Sequence, residues 1–113
     1  MPNFEVLSGS LIIGHSELEL GDPPMGVAFG KFLPLSAYAK VKEAVVAALE
    51  TYQDHLYLSV RLVGGETLPA QSVHLSDFSA ELAPDEIEVS VIGISYPLYG
   101  ELFPSHVAAY EAQ

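Results

Sequence analysis

One stretch of the chain repeats its apolar residues at a helical interval, and it stands between two blocks of strand-like sequence. In residues 36–52, Tyr38, Val41, Val45, Ala48, Leu49 and Tyr52 fall on one stripe, while Lys40, Glu43 and Glu50 point away. Ser36 stands where an N-cap belongs, and Ala39, Ala44, Ala47 and Ala48 add helix propensity. The spacing predicts one long helix over 36–52. The remaining periodic segments alternate in steps of two and cluster before or after that helix. An order of β-β-β-α-β-β-β with a short terminal helix does not suit a doubly wound parallel sheet, whose strands alternate with helices. The expected fold is α+β: a strongly curved antiparallel sheet of about six strands, with the long helix packed on one face.

Phe4 to Leu7, then Ser8-Gly9, then Ser10 to Gly14 reads as a hairpin with a Ser-Gly turn. Glu17-Leu18-Glu19-Leu20 continues its second arm, leucines inward and glutamates outward. Gly21-Asp22-Pro23-Pro24 breaks the pattern, because neither proline donates to a ladder. Met25 to Leu33 follows as a glycine-punctuated apolar strand ended by Pro34. Beyond the helix, Leu56 to Val63 sets Leu56, Leu58, Val60 and Leu62 against Tyr57, Ser59 and Arg61, and Gly64-Gly65 stops it. Val73 to Leu82 changes phase between Leu75 and Phe78, which predicts a β-bulge near Ser76-Asp77. Ile87 to Ile94 is a further strand rich in β-branched residues, and a short helix is expected from Ser105 to Glu111, entered through Pro104.

With 113 residues, half of them hydrophobic, and no linker, residues 1–113 read as a single domain with one core. The absence of cysteine excludes disulfides, thiolate metal sites and cysteine nucleophiles. The apolar runs are too short to span a bilayer. Met1-Pro2-Asn3-Phe4-Glu5 lacks the basic and apolar regions of a secretory leader, so a cytoplasmic location is expected.

Charge narrows the partners. There are 15 acids against 4 bases, a net charge of −11. All four bases (Lys31, Lys40, Lys42, Arg61) precede a base-free stretch carrying Glu66, Asp77, Glu81, Asp85, Glu86, Glu88, Glu101 and Glu111. Such a field repels phosphate backbones and anionic lipid, arguing against nucleic-acid and membrane-surface binding, and it favours a basic protein partner. The same acids also keep an apolar-rich chain dispersed.

Catalytic patterns are weak. His15, His55, His74 and His106 lack the close spacing of a local zinc site. Ser72, His74 and Asp77 contain triad residue types, but the chain has no Gly-x-Ser-x-Gly elbow, so exposed strand residues account for them better. Asp85, Glu86 and Glu88 lack the pattern of a calcium loop, and Gly64-Gly65 lacks the Lys and Ser/Thr of a phosphate loop. No catalytic residue, metal or cofactor is expected.

The segment from Asp22 to Pro34 packs three prolines, two glycines, two phenylalanines and a methionine into thirteen residues. One reading makes it an irregular edge strand with Met25, Phe29 and Phe32 in the core. The other makes it a binding surface or small apolar cleft, with Met25, Phe29 and Phe32 as its wall and Asp22 and Lys31 at its rim. Tyr96 and Tyr99, in the Pro/Gly-rich stretch Tyr96–Pro104, are candidate interface anchors or parts of a strap that closes the core.

The pattern Asp22-x-x-Met25-Gly26-Val27-Ala28-x-Gly30-x-Phe32-x-Pro34 resembles a stretch carried by small uncharacterised bacterial proteins, a resemblance that implies no activity. In size and acidity the chain also resembles immunity proteins of bacterial toxin systems. The leading expectation is a protein-interaction module, most concretely an immunity-type inhibitor that occludes a basic bacterial toxin. The alternative is a small-molecule-binding domain with a pocket near residues 25–32. A carboxylate-only enzyme using Asp22 or Asp77 is a third, weaker reading. An exposed edge strand or the aromatic tail would also serve a homodimer.

Overall fold

The computed structural model describes residues 4–112. Its strands form two four-stranded antiparallel sheets rather than one sheet of about six. The first sheet holds β1 (Phe4–Ser8), β2 (Leu11–Ser16), β5 (Leu33–Pro34) and β6 (Leu58–Leu62), in the order β5-β2-β1-β6. The second holds β3 (Leu20–Asp22), β4 (Val27–Lys31), β7 (Ser72–Asp77) and β8 (Ile87–Ile92), in the order β3-β4-β8-β7. Both contribute to one hydrophobic cluster, with Phe4, Val6, Ile13 and Val60 from the first and Ala28, Leu75, Val89 and Val91 from the second.

The split comes from two corners that apolar periodicity does not mark. Between β2 and β3 the strap Glu17–Glu19 carries Leu18 into the core at φ +47. Its backbone N–H donates to Ser16 Oγ at 3.0 Å, and its carbonyl lies 2.7 Å from His106 Nε2. Leu18 is thus inward as expected, but Leu20 is exposed. Between β4 and β5 the corner is Phe32, whose N–H still bonds Ile87 in the second sheet while Leu35 N–H bonds Ile13 in the first. The Phe32 ring lies over Gly14, where a Cβ would overlap it, and meets Tyr38 edge-on at 5.1 Å.

The long helix over 36–52 is not formed as one piece. Ser36–Lys40 is a 3-10 turn, α1 covers Lys42–Ala47, and Ser36 does not cap either of them. The apolar stripe survives through Tyr38, Val45 and Ala48, but Tyr52 is 87% exposed. Gln53 supplies the physical reason. Its Nε2 donates to Ala48 O at 3.1 Å and Leu75 O at 2.8 Å, and its Oε1 accepts from Leu75 N–H at 2.8 Å. To bring that amide to β7 the chain must leave the helical path. A 3-10 turn at Asp54–Leu56 and Tyr57 at φ +50 follow, so β6 starts at Leu58 rather than Leu56.

The bulge also lies elsewhere. β7 pairs with β8 in unbroken register from Ser72↔Ile92 to Asp77↔Ile87, and the phase change at Phe78 marks the end of the strand. The register shift occurs in the β1–β2 ladder instead, where Val6↔Gly14 is followed by Leu7↔Ile12, so that Ile13 is the extra residue on β2 and is fully buried. The first hairpin forms, its turn at Gly9-Ser10. The terminal helix forms as α3 (Pro104–Glu111), preceded by an unanticipated α2 (Leu98–Leu102). Among the described residues, no helix is long and apolar enough to cross a membrane.

Candidate interaction surface

Gly26 sets the orientation of the irregular segment. Pro23–Met25 forms a single 3-10 turn, closed by Gly26 at φ +65 with its N–H on Pro23 O at 3.0 Å. Its carbonyl accepts from Ile94 N–H at 2.9 Å, and a Cβ at this position would lie 2.5 Å from Ile94 O. The backbone approach and the left-handed φ both call for glycine. β4 then leaves the turn with Ala28 and Gly30 buried on the inner face and Val27, Phe29 and Lys31 on the outer face.

The cross-strand register assembles the outer face of the second sheet in rows. Leu20, Phe29, Ser90 and His74 form one; the pairs Asp22↔Val27 and Ser72↔Ile92 make the next, one residue past the Ala28↔Val91 pairing; Lys31, Glu88 and Ser76 form a third. Every one of these residues keeps solvent contact, whereas Ala28, Leu75, Val89 and Val91 behind them are fully buried. Val27, Phe29 and Ile92 make an apolar centre, with Asp22 and Glu88 at opposite ends. Lys31 Nζ reaches Asp85 Oδ2 at 3.0 Å, and this hydrogen bond holds the ammonium above and the carboxyl below their ordinary values.

The anticipated site residues therefore divide. Asp22, Phe29 and Lys31 share the outer face, and Met25 stands on the adjoining turn, 68% exposed. Phe32 belongs to the core corner. Tyr99 is fully buried and has no surface to offer a partner; its hydroxyl donates to Val27 O at 2.7 Å, and burial pushes the phenol up to about 12. Tyr96 is half exposed, with its hydroxyl on Pro23 O at 3.1 Å. The tail is thus a strap over the β3–β4 hairpin, with the rings of Tyr96 and Tyr110 left outside.

Asp22 and Lys31 do not rim a common cleft. They sit at opposite ends of the hairpin, each beside its own open cleft. One, of about 350 Å³, lies among Glu19, Leu20, Lys31, Phe78, Glu86 and Glu88. The other, of about 340 Å³, runs along β3 past Asp22 and Pro23 to His106 and Tyr110. Behind the segment, Ala28 and Phe32 fill the space.

Ser72, His74 and Asp77 are not brought together. Ser72 and His74 face outward, while Asp77 points inward and is buried. Asp77 accepts from Tyr38 Oη at 2.5 Å, and from Ser79 N–H at 2.8 Å and Ser79 Oγ at 2.5 Å. Burial opposes the charge on Asp77, but the Ser79 and Tyr38 bonds overcome it and hold the carboxyl below its ordinary value. Burial first, then the Asp77 carboxylate, raises the Tyr38 phenol strongly. This network ties the 3-10 turn to β7. Among the described residues, no group of three or more His, Asp or Glu is placed to hold a metal.

Val27 and Ile92 were not anticipated as surface residues. Ile87 to Ile94 is nearly all apolar on one parity and mixed on the other, and only the Ala28↔Val91 pairing with β4, continued by one residue, brings Ile92 to the side of Val27. No protein-family profile, curated protein or solved structure matches the chain.

Proposed function

We propose that the chain is a protein-interaction module that engages a basic partner, most concretely as an immunity-type inhibitor that occludes a basic bacterial toxin. The disposition of charge in the fold carries this reading. Apart from Glu5 and Asp77, every acid in residues 4–112 is exposed. Three of the four bases are engaged within the chain: Lys31 with Asp85, Arg61 with Glu5 at 2.8 Å, and Lys42 with Ser79 at 3.1 Å. The outward field is therefore strongly negative, which steers a cationic protein in and speeds its encounter. Occlusion needs no catalytic group from this chain.

The test is capture on the immobilised protein from bacterial lysate, eluted by a salt gradient. The reading requires a basic protein that leaves as salt rises and whose toxic activity the chain suppresses. If low salt retains nothing basic, or the retained protein stays fully active, the reading is wrong.

A further inference from the structure

We infer that the basic partner docks flat on the outer face of the second sheet, over Val27, Phe29 and Ile92, and does not add a strand to either edge. This rests on the reading above and says where and how contact is made.

A sheet meets another protein either by pairing an edge or by covering a face. Both edges of this sheet are interrupted, so neither offers an added strand a continuous ladder. Phe32 N–H bonds Ile87 O, so even-numbered residues of β4 turn their backbone groups toward β8. Lys31 N–H turns the other way and is taken by Glu19 Oε2 at 2.9 Å. Val27 and Phe29 therefore bond β3 through Asp22 and Leu20, which leaves Gly21 alone within β3 to present its N–H and C=O outward. The next outward position is Pro23, which has no N–H. At the other edge Val73, Leu75 and Asp77 turn their backbone groups outward, and the Gln53 amide occupies both groups of Leu75 at the middle of that run.

The face is open. Its apolar centre is flanked by Asp22 on one row and by Glu88 two rows away, about 13 Å along the strands at 3.3 Å per residue. Lys31 adds little opposing charge, because Asp85 neutralises it. The complement is a basic surface with an aromatic or aliphatic side chain between two cations at that spacing. An aromatic-bearing sheet face is also a shape on which nucleic-acid bases stack. Here its acidic rim opposes the phosphates, so protein is the occupant.

Amide chemical-shift mapping of the isotope-labelled chain tests this. The probe is a capped peptide Lys-Ala-Phe-Ala-Lys, compared with Lys-Ala-Ala-Ala-Lys and Glu-Ala-Phe-Ala-Glu. The expected result is saturable shifts confined to residues 20–22, 27–31 and 88–92, with the phenylalanine-free peptide at least fivefold weaker and the acidic one silent. Phe29→Ser should weaken binding at least fivefold. Glu88→Lys, at an exposed position that leaves the core intact, should do the same. Glu43→Lys and Glu50→Lys should change it less than twofold. Saturable shifts centred elsewhere, as at residues 43–50 or 98–111, would overturn this docking face while leaving the basic-partner reading standing. An equal response to the acidic peptide would overturn that reading itself. No saturable shift with any of the peptides would overturn the docking face.

Discussion

Gln53 does with one side chain what a neighbouring strand would do with a peptide group. Its amide satisfies the outward N–H and C=O of Leu75 and also takes the Ala48 carbonyl at the end of α1. Replacing it with alanine leaves these groups unpartnered at a buried site, so Gln53→Ala should lower stability by about 3 kcal/mol, read from urea unfolding. Gln53→Glu keeps the acceptor but loses the donor and should be nearly as costly. Tyr38 and Asp77 form a second such point. Tyr38→Phe removes the hydroxyl that Asp77 accepts and should cost about 1–3 kcal/mol. The pH dependence has a definite sign. Because the folded carboxyl titrates below its unfolded value of about 3.9, its contribution is present above that pH and is lost as the pH falls through the folded value. In Tyr38→Phe the folded value moves up toward the unfolded one, so this acid loss should be smaller, which urea midpoints measured between about pH 2 and 5 would show.

At the scale of elements, the sequence was legible where one face alone needed burial. The first hairpin, the Tyr38–Val45–Ala48 stripe and the helix after Pro104 follow from periodicity and proline placement. It was not legible where a single polar side chain decides the path. Nothing in the helical stripe announces that Gln53 will reach across to β7, and nothing in the alternation after Leu75 separates a bulge from a strand end. The interaction surface shows the same division. Asp22, Phe29 and Lys31 share a face because of their spacing in β4 and its register with β3. Phe32 and Tyr99 look equivalent to exposed anchors in sequence, yet the sheet corner and the terminal strap bury them. Gly26 is the element-level hinge of this arrangement. Gly26→Ala forces a Cβ toward the Ile94 carbonyl at φ +65 and should cost about 2 kcal/mol or more, measured by thermal or urea unfolding.

For the whole molecule, the tail strap links alkaline stability to the second sheet. Tyr99 is pushed up to about 12 by burial, whereas an unfolded tyrosine titrates near 10. A group raised in this way contributes fully below about pH 10 and loses its contribution as the pH climbs toward about 12. Stability should therefore fall across that window, and Tyr99→Phe should flatten the fall; unfolding midpoints from pH 8 to about 12 would check it. The strand order has a further consequence, which concerns the making of the protein. Ala28 pairs with Val91 and Phe4 with Leu62, so each sheet joins strands distant in the chain. During synthesis the β3–β4 hairpin waits for β8 to leave the ribosome before the open edge of β4 is paired. Folding governed by such distant pairings takes milliseconds to seconds rather than microseconds. Until β8 arrives the β4 edge is unpaired, and the chain's net charge of −11 opposes pairing with neighbouring copies.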